Sequence, residues 1–180
     1  VPAIAAVRAA VRGRHRPLVL IDGPSGSGKS TLADALLARW PGAPPSLVRL
    51  DDVYPGWHGL DRASRMLADS LVAPWRRGVA ARSPRWDWAE SAAASPQSVR
   101  PGSALLIEGC GAFAVADEAT PATRIWVEAA DGIRRRRALE RDGGAYDAYW
   151  EIWDLQWRAY VRRCGPRPLA DVLLRVSHLD

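Results

Sequence analysis

The sequence predicts an α/β fold in three layers, with a five-stranded parallel sheet between helices and a short arginine-rich lid. Three observations predict it. Short apolar runs alternate with helical stretches, the pattern of βαβ units. A glycine-rich turn directly follows the first apolar run. A dense arginine cluster at 134–137 follows the fourth run, where a lid over a ligand crevice belongs.

The elements follow in order. Residues 2–12 read as an amphipathic helix, with Ile4, Val7 and Val11 at helical spacing. Residues 18–21, Leu-Val-Leu-Ile, read as a strand buried on both faces. Residues 30–40 are helical and stop at Pro41-Gly42. The second strand is 46–50, and 61–77 form a helix with Met66, Leu67 and Leu71 on one side. Residues 78–100, rich in Ala, Ser, Pro, Arg and Trp, give no assignment. The third and fourth strands are 103–107 and 124–127, and 131–141 is a helix broken by Gly143-Gly144. A long helix, 146–163, precedes the fifth strand at 170–176. With no repeats and no low-complexity linker, residues 1–180 form one domain, its lid at about 131–147.

Composition excludes several classes. At 48% hydrophobic and 25% charged residues, a packed core is expected rather than disorder. No apolar run reaches the ~18–20 residues of a membrane span, and no secretory leader pattern opens the chain, so a cytoplasmic protein is expected. Cys110 and Cys164 alone make neither a disulfide framework nor a cysteine-rich metal site. The +5 charge permits nucleic-acid binding, but no zinc-finger, helix-turn-helix or aromatic-basic pattern accompanies it, and no nucleic-acid partner is expected. Among 25 basic residues Lys29 is the one lysine. A compact ammonium is thus used at a single position in a chain that otherwise uses guanidinium.

That position lies in Gly23-Pro24-Ser25-Gly26-Ser27-Gly28-Lys29-Ser30-Thr31, which matches G-x-x-x-x-G-K-[ST] between a strand and a helix. The glycines let backbone N–H groups approach phosphate oxygens, and the helix start presents its positive dipole end to the same anion. Gly23, Ser25, Gly26, Ser27, Gly28, Lys29, Ser30 and Thr31 therefore bind the phosphates of ATP, with Lys29 reaching the β- and γ-phosphates and Ser30 a ligand to Mg²⁺. No N-K-x-D motif for reading guanine is present.

Two strand ends supply carboxylates. The second strand runs into Asp51-Asp52-Val53-Tyr54, and an acid there can accept a proton from an attacking hydroxyl or hold it in line. The third ends in Glu108-Gly109, placed for the metal. Arg134, Arg137 and Arg141, three and four apart, share one helical face and can neutralise phosphate charge, whereas Arg135 and Arg136 point to solvent. Trp150, Trp153 and Trp157 at helical spacing read as packing. His58 is the histidine nearest the expected acceptor loop.

Together these segments resemble the uridine kinase-like branch of the P-loop kinases, over about 18–176. Asp51 and Tyr54 fit the family's Asp-x-x-Tyr, which implies Asp51 as general base and Tyr54 near the acceptor. Glu108-Gly109 matches its third strand end, Val127-Glu128 its entry to the lid helix, and Arg134, Arg137 and Arg141-Asp142 its lid. Pro166 with Ala170-Asp171-Val172 looks like the approach to its last strand. Trp86-Asp87-Trp88 resembles its Tyr-Asp-Phe segment, implying that Trp86 and Asp87 touch the acceptor; the family's nucleoside kinases carry a His four residues after that Asp, where Ser91 stands here. The resemblance implies an ATP- and Mg²⁺-dependent kinase acting on a small-molecule hydroxyl, as monomer or homodimer. A nucleoside is the implied acceptor, a sugar or sugar acid the alternative, and a nucleotide-binding regulator without catalysis the alternative of another class.

Overall fold

The computed structural model of the chain describes residues 2–141 and 143–176. Strands β1 (Leu18–Asp22), β2 (Ser46–Arg49), β5 (Leu105–Glu108), β6 (Thr123–Glu128) and β7 (Val172–Arg175) form one sheet. Its order is β2-β5-β1-β6-β7, and every pairing is parallel. The P-loop strand β1 is central, flanked by β5 and β6, so the connections diverge on either side of it and open a crevice beyond the strand ends.

Period-two alternation explains how so short a strand organises two cores. Leu18 and Leu20 of β1 join one apolar cluster, while Val19 and Ile21 join the other. Helices α1 (Pro2–Val11) and α2 (Lys29–Leu37) cover the second face, through Ile4, Val7, Val11, Ala33 and Leu36. Helices α3 (Leu60–Leu67) and α6 (Trp150–Cys164) cover the first, through Leu60, Leu67, Trp153, Trp157 and Tyr160. Among the described residues no helix is long and apolar enough to cross a membrane.

The expected five parallel strands and three layers are present. The differences have physical causes. The helix expected over 61–77 is interrupted after Leu67 by a wider π turn, Ala68–Val72, before a single further turn, α4 (Ala73–Arg76), which carries Pro74. The unassigned stretch is an antiparallel hairpin, β3 (Ala81–Asp87) and β4 (Ala92–Val99), with a register shift at Pro84. Its inward positions include Ala81, Ser83 and Val99, too small and too polar to make a legible apolar alternation. The lid helix α5 (Asp131–Arg141) stands as expected, but α6 starts at Trp150, after a 3₁₀ turn at Asp147–Tyr149.

Candidate active site

The site begins with Asp22, which ends β1. Its carboxylate is wholly buried and accepts from the N–H groups of Gly23 (2.7 Å), Gly111 (3.0 Å) and Phe113 (2.8 Å) and from the Tyr160 hydroxyl (2.7 Å). Burial raises its pKa, and these four donors act against that rise. Asp22 thereby fastens the start of the P-loop to the turn after β5 and to α6. Sequence reasoning missed it; an acid closing an apolar strand just before the first loop glycine was the available signal.

Two glycines are fixed by contact as well as conformation. Gly23 has φ 145°, and a Cβ there would lie 2.0 Å from the Val127 carbonyl oxygen. Gly26 has φ 76°, and its Cβ would lie 1.9 Å from the Arg134 carbonyl oxygen. The end of β6 and the start of α5 thus press on the loop backbone, where no side chain fits.

Beneath this loop lies a cleft of about 160 Å³, lined by Gly26, Gly28, Lys29, Ser30 and Thr31 and closed by Glu108, Cys110, Arg137 and Arg141. Lys29 is 7% exposed; its Nζ donates to the Pro24 carbonyl (2.8 Å) and stands 3.7 Å from Cys110 Sγ. Helix α2 opens at Lys29 with no side-chain cap, leaving its first backbone N–H groups facing the loop. Ser27 Oγ and Arg137 Nη1 are buried without hydrogen-bond partners. The unfilled Arg137 donor beside Lys29 and an uncapped helix start fits a bound polyphosphate.

Glu108 is 2% exposed and meets Arg49 Nη1 at 3.1 Å, while Arg49 Nη2 reaches Asp34 at 2.6 Å. Burial raises the Glu108 pKa and the Asp51 charge adds to it; Lys29, a hydrogen bond from Ser30 and Arg49 pull it down. Among the described residues no cluster of three or more His, Cys, Asp or Glu could hold a metal by itself. The pair Ser30 and Glu108 nonetheless fits Mg²⁺, which takes few protein oxygens and completes its shell with phosphate and water.

A wider cavity of about 410 Å³ adjoins the cleft. Ser25, Asp51 and Arg141 line both. Its remaining walls are Asp52, Trp57, Trp88, Ala145, Tyr146 and Trp153. The aromatic walls support one another: Trp57 stacks on Tyr149 at 4.4 Å and 5° and on Tyr146 at 5.1 Å and 25°, and lies 4.9 Å from Trp88. Gln156 Nε2 holds the Trp57 carbonyl at 2.6 Å, and the Tyr146 hydroxyl donates to Ser25 Oγ at 3.0 Å. At the far end of β3, Trp88 Nε1 donates to the Asp51 carbonyl at 2.8 Å, so the hairpin reaches over the cavity.

The structure brings Gly26, Gly28, Lys29, Ser30, Thr31, Asp51, Glu108, Arg137 and Arg141 to the cleft, with Ser25 and Asp51 at its junction with the cavity. Other expected residues stand elsewhere. Arg134 is 3% exposed, its Nε bonded to Asp131 (2.8 Å) and its Nη2 to Asp154 (2.7 Å); it braces α5 against α6 and does not line the cleft. Tyr54 is 1% exposed and spends its hydroxyl on the Cys110 carbonyl (2.9 Å), so it anchors the turn after β5 instead of lining either space. Trp86 lines neither, and Asp87 caps its own turn through the N–H groups of Ala89 and Glu90. His58 is exposed and lines neither. Asp142 lies outside the described residues. The tryptophans of α6 are buried as expected, with Trp153 also a cavity wall. Asp52, Trp57, Trp88 and Tyr146 were not foreseen; the Trp-Asp-Trp segment was the signal, one residue short of the useful ring.

No protein-family model and no curated protein matches the chain. Solved structures do. A structure described as a "possible uridine kinase" from Bacillus stearothermophilus is similar at TM-score 0.63 and 20% identity, over 96% of this chain and 97% of that one. A "putative fructose transport system kinase" from Silicibacter sp. TM1040 is similar at TM-score 0.54 and 22% identity, over 94% and 98%. The chain therefore has the P-loop α/β fold of these proteins along nearly its whole length.

Proposed function

We propose that the protein is an ATP- and Mg²⁺-dependent kinase that transfers the γ-phosphoryl group to a hydroxyl of a small molecule. The observation that carries this reading is the junction: Asp51 and Arg141 line both the cleft around Lys29 and the aromatic cavity. A pure nucleotide switch needs no second, larger space opening onto the terminal phosphates.

The roles follow from placement. Lys29, the loop N–H groups, Arg137 and Arg141 hold phosphate charge, which is most of what a protein contributes to phosphoryl transfer. Ser30 and Glu108 hold the metal, which when bound neutralises charge on the phosphates. Asp51 orients the acceptor hydroxyl and takes its proton. Ser25, bridged to Tyr146, fixes the rim between the two spaces. The aromatic walls favour an acceptor with a flat face; a nucleoside has one in its base, and a sugar presents one in its C–H surface. The uridine kinase likeness favours the nucleoside, the fructose-system kinase likeness the sugar.

Incubation with Mg²⁺·ATP and a panel of nucleosides, sugars, polyols and amino alcohols, choline among them, tests the reading. A phosphorylated product is expected with one class. Asp51→Asn should lower its formation by about 10²–10⁴ while ATP binding by calorimetry stays unchanged. Slow hydrolysis indifferent to every compound identifies a regulator instead.

A further inference from the structure

The two spaces differ in charge, and the difference points to the acceptor. Asp51 belongs to both, but Asp52 lines the wide cavity alone. Among the described residues neither carboxylate is in an ion pair, although the chain carries a surplus of arginine. The cation lining the cavity, Arg141, sits at its mouth on the phosphate cleft, where the donor's negative charge faces it. Beyond that mouth the walls are indole and phenol rings and a carboxylate. Aromatic faces carry negative potential, and tryptophan most of all attracts a cation held against it. With Asp51 engaged by the reacting hydroxyl, Asp52 has no task in phosphoryl transfer.

We propose that the acceptor is a positively charged hydroxyl compound, an amine or a ring cation, held between Trp57, Trp88 and Trp153 with Asp52 as its counter-charge. The proposal rests on the kinase reading for the hydroxyl and on the cavity alone for the charge. Asp52 is then a specificity-determining residue with no part in catalysis.

Isosteric pairs that differ by one N⁺-for-C replacement isolate the charge. Choline pairs with 3,3-dimethylbutan-1-ol, and 1-methyl-3-(hydroxymethyl)pyridinium with 3-methylbenzyl alcohol. Calorimetry without nucleotide should show the cation of at least one pair binding about tenfold tighter than its neutral partner. The preference should shrink with added salt. Asp52→Asn should reduce it severalfold while leaving the neutral partner's affinity and ATP binding unchanged, and Asp52→Glu should restore part of it. An unchanged melting temperature of Asp52→Asn excludes a folding defect. Equal binding within both pairs, or no binding of either cation, overturns the proposal. If the cations bind selectively but no hydroxyl compound is phosphorylated, the kinase reading fails and the charge selectivity stands. If neutral alcohols are phosphorylated with no preference for cations, the kinase reading stands and this one falls.

Discussion

The phosphate cleft and the acceptor cavity share three residues yet are built in opposite ways. Half of the cleft's lining comes from one continuous segment, 25–31, whose conformation is set by the loop's own glycines and by the helix that follows. The cavity draws on the 3₁₀ turn after β2, the loop bearing Trp57, the far end of β3, the turn before α6, and α6 itself. The cleft is rigid chemistry repeated wherever phosphate is bound. The cavity is a local assembly of aromatic rings held by each other, by Gln156 and by Trp88. The cleft is therefore written in large part in a motif, and the cavity in tertiary contacts.

Replacing Lys29 by arginine tests the cleft's rigidity and should cost more than any change to the lid or to the cavity walls. The Lys29 ammonium is nearly buried, bonded to the Pro24 carbonyl and packed beside Cys110. A planar guanidinium keeps the charge but cannot occupy that space in the same geometry. Product formation should fall by about 10²–10³, the cost of misplacing one charge-stabilising donor. Steady-state kinetics with the identified acceptor check it; near-normal turnover would mean that the cleft is as adaptable as the cavity.

The lid arginines show how far a helical pattern can be trusted. Spacing puts Arg134, Arg137 and Arg141 on one face, and two of the three line the cleft. Arg134 does not, because Asp131 on its own helix and Asp154 on α6 claim its guanidinium. No periodicity within α5 reveals a partner twenty residues away. Arg134→Met should lower stability by about 2 kcal/mol, since it removes the charge-assisted hydrogen bonds that tie α5 to α6 and leaves Asp154 to Arg158. Arg137→Met removes a guanidinium whose Nη1 has no partner, so its melting temperature should hold while KM for ATP rises about tenfold. Thermal melts and ATP titrations on both variants read the contrast; the reverse pattern would exchange their roles.

The same reasoning separates what was legible in the chain from what was not. The three inner strands announce themselves because both faces are buried, which makes their sequences largely apolar, while the partly exposed edge strands β2 and β7 show only as short Leu and Val runs. The hairpin was hidden because most of β4 faces solvent and its composition, Ala-Ala-Ala-Ser-Pro-Gln-Ser-Val, carries no period. Asp51 and Glu108 were legible because strand ends beside a P-loop have few uses. Tyr54 fits the same motif yet turns inward to the Cys110 carbonyl, since a motif records residue types and not which way a ring rotates. Asp52, Trp57 and Tyr146 were invisible: each matters through rings that only the folded chain brings near.

Trp88 probes the cavity at its most exposed wall and should show the smallest effect. Its indole is 37% exposed, but its Nε1–H meets the Asp51 carbonyl at 2.8 Å, tying the hairpin to the turn that carries Asp51. Trp88→Phe keeps an aromatic wall and removes that bond. The bond contributes about 1 kcal/mol, so KM for the acceptor should rise about fivefold. KM for ATP should not move, because Trp88 lies outside the phosphate cleft. If kcat falls instead while KM holds, the hairpin positions the Asp51 carboxylate for proton transfer, and the cavity shares in the chemistry that the loop was taken to govern.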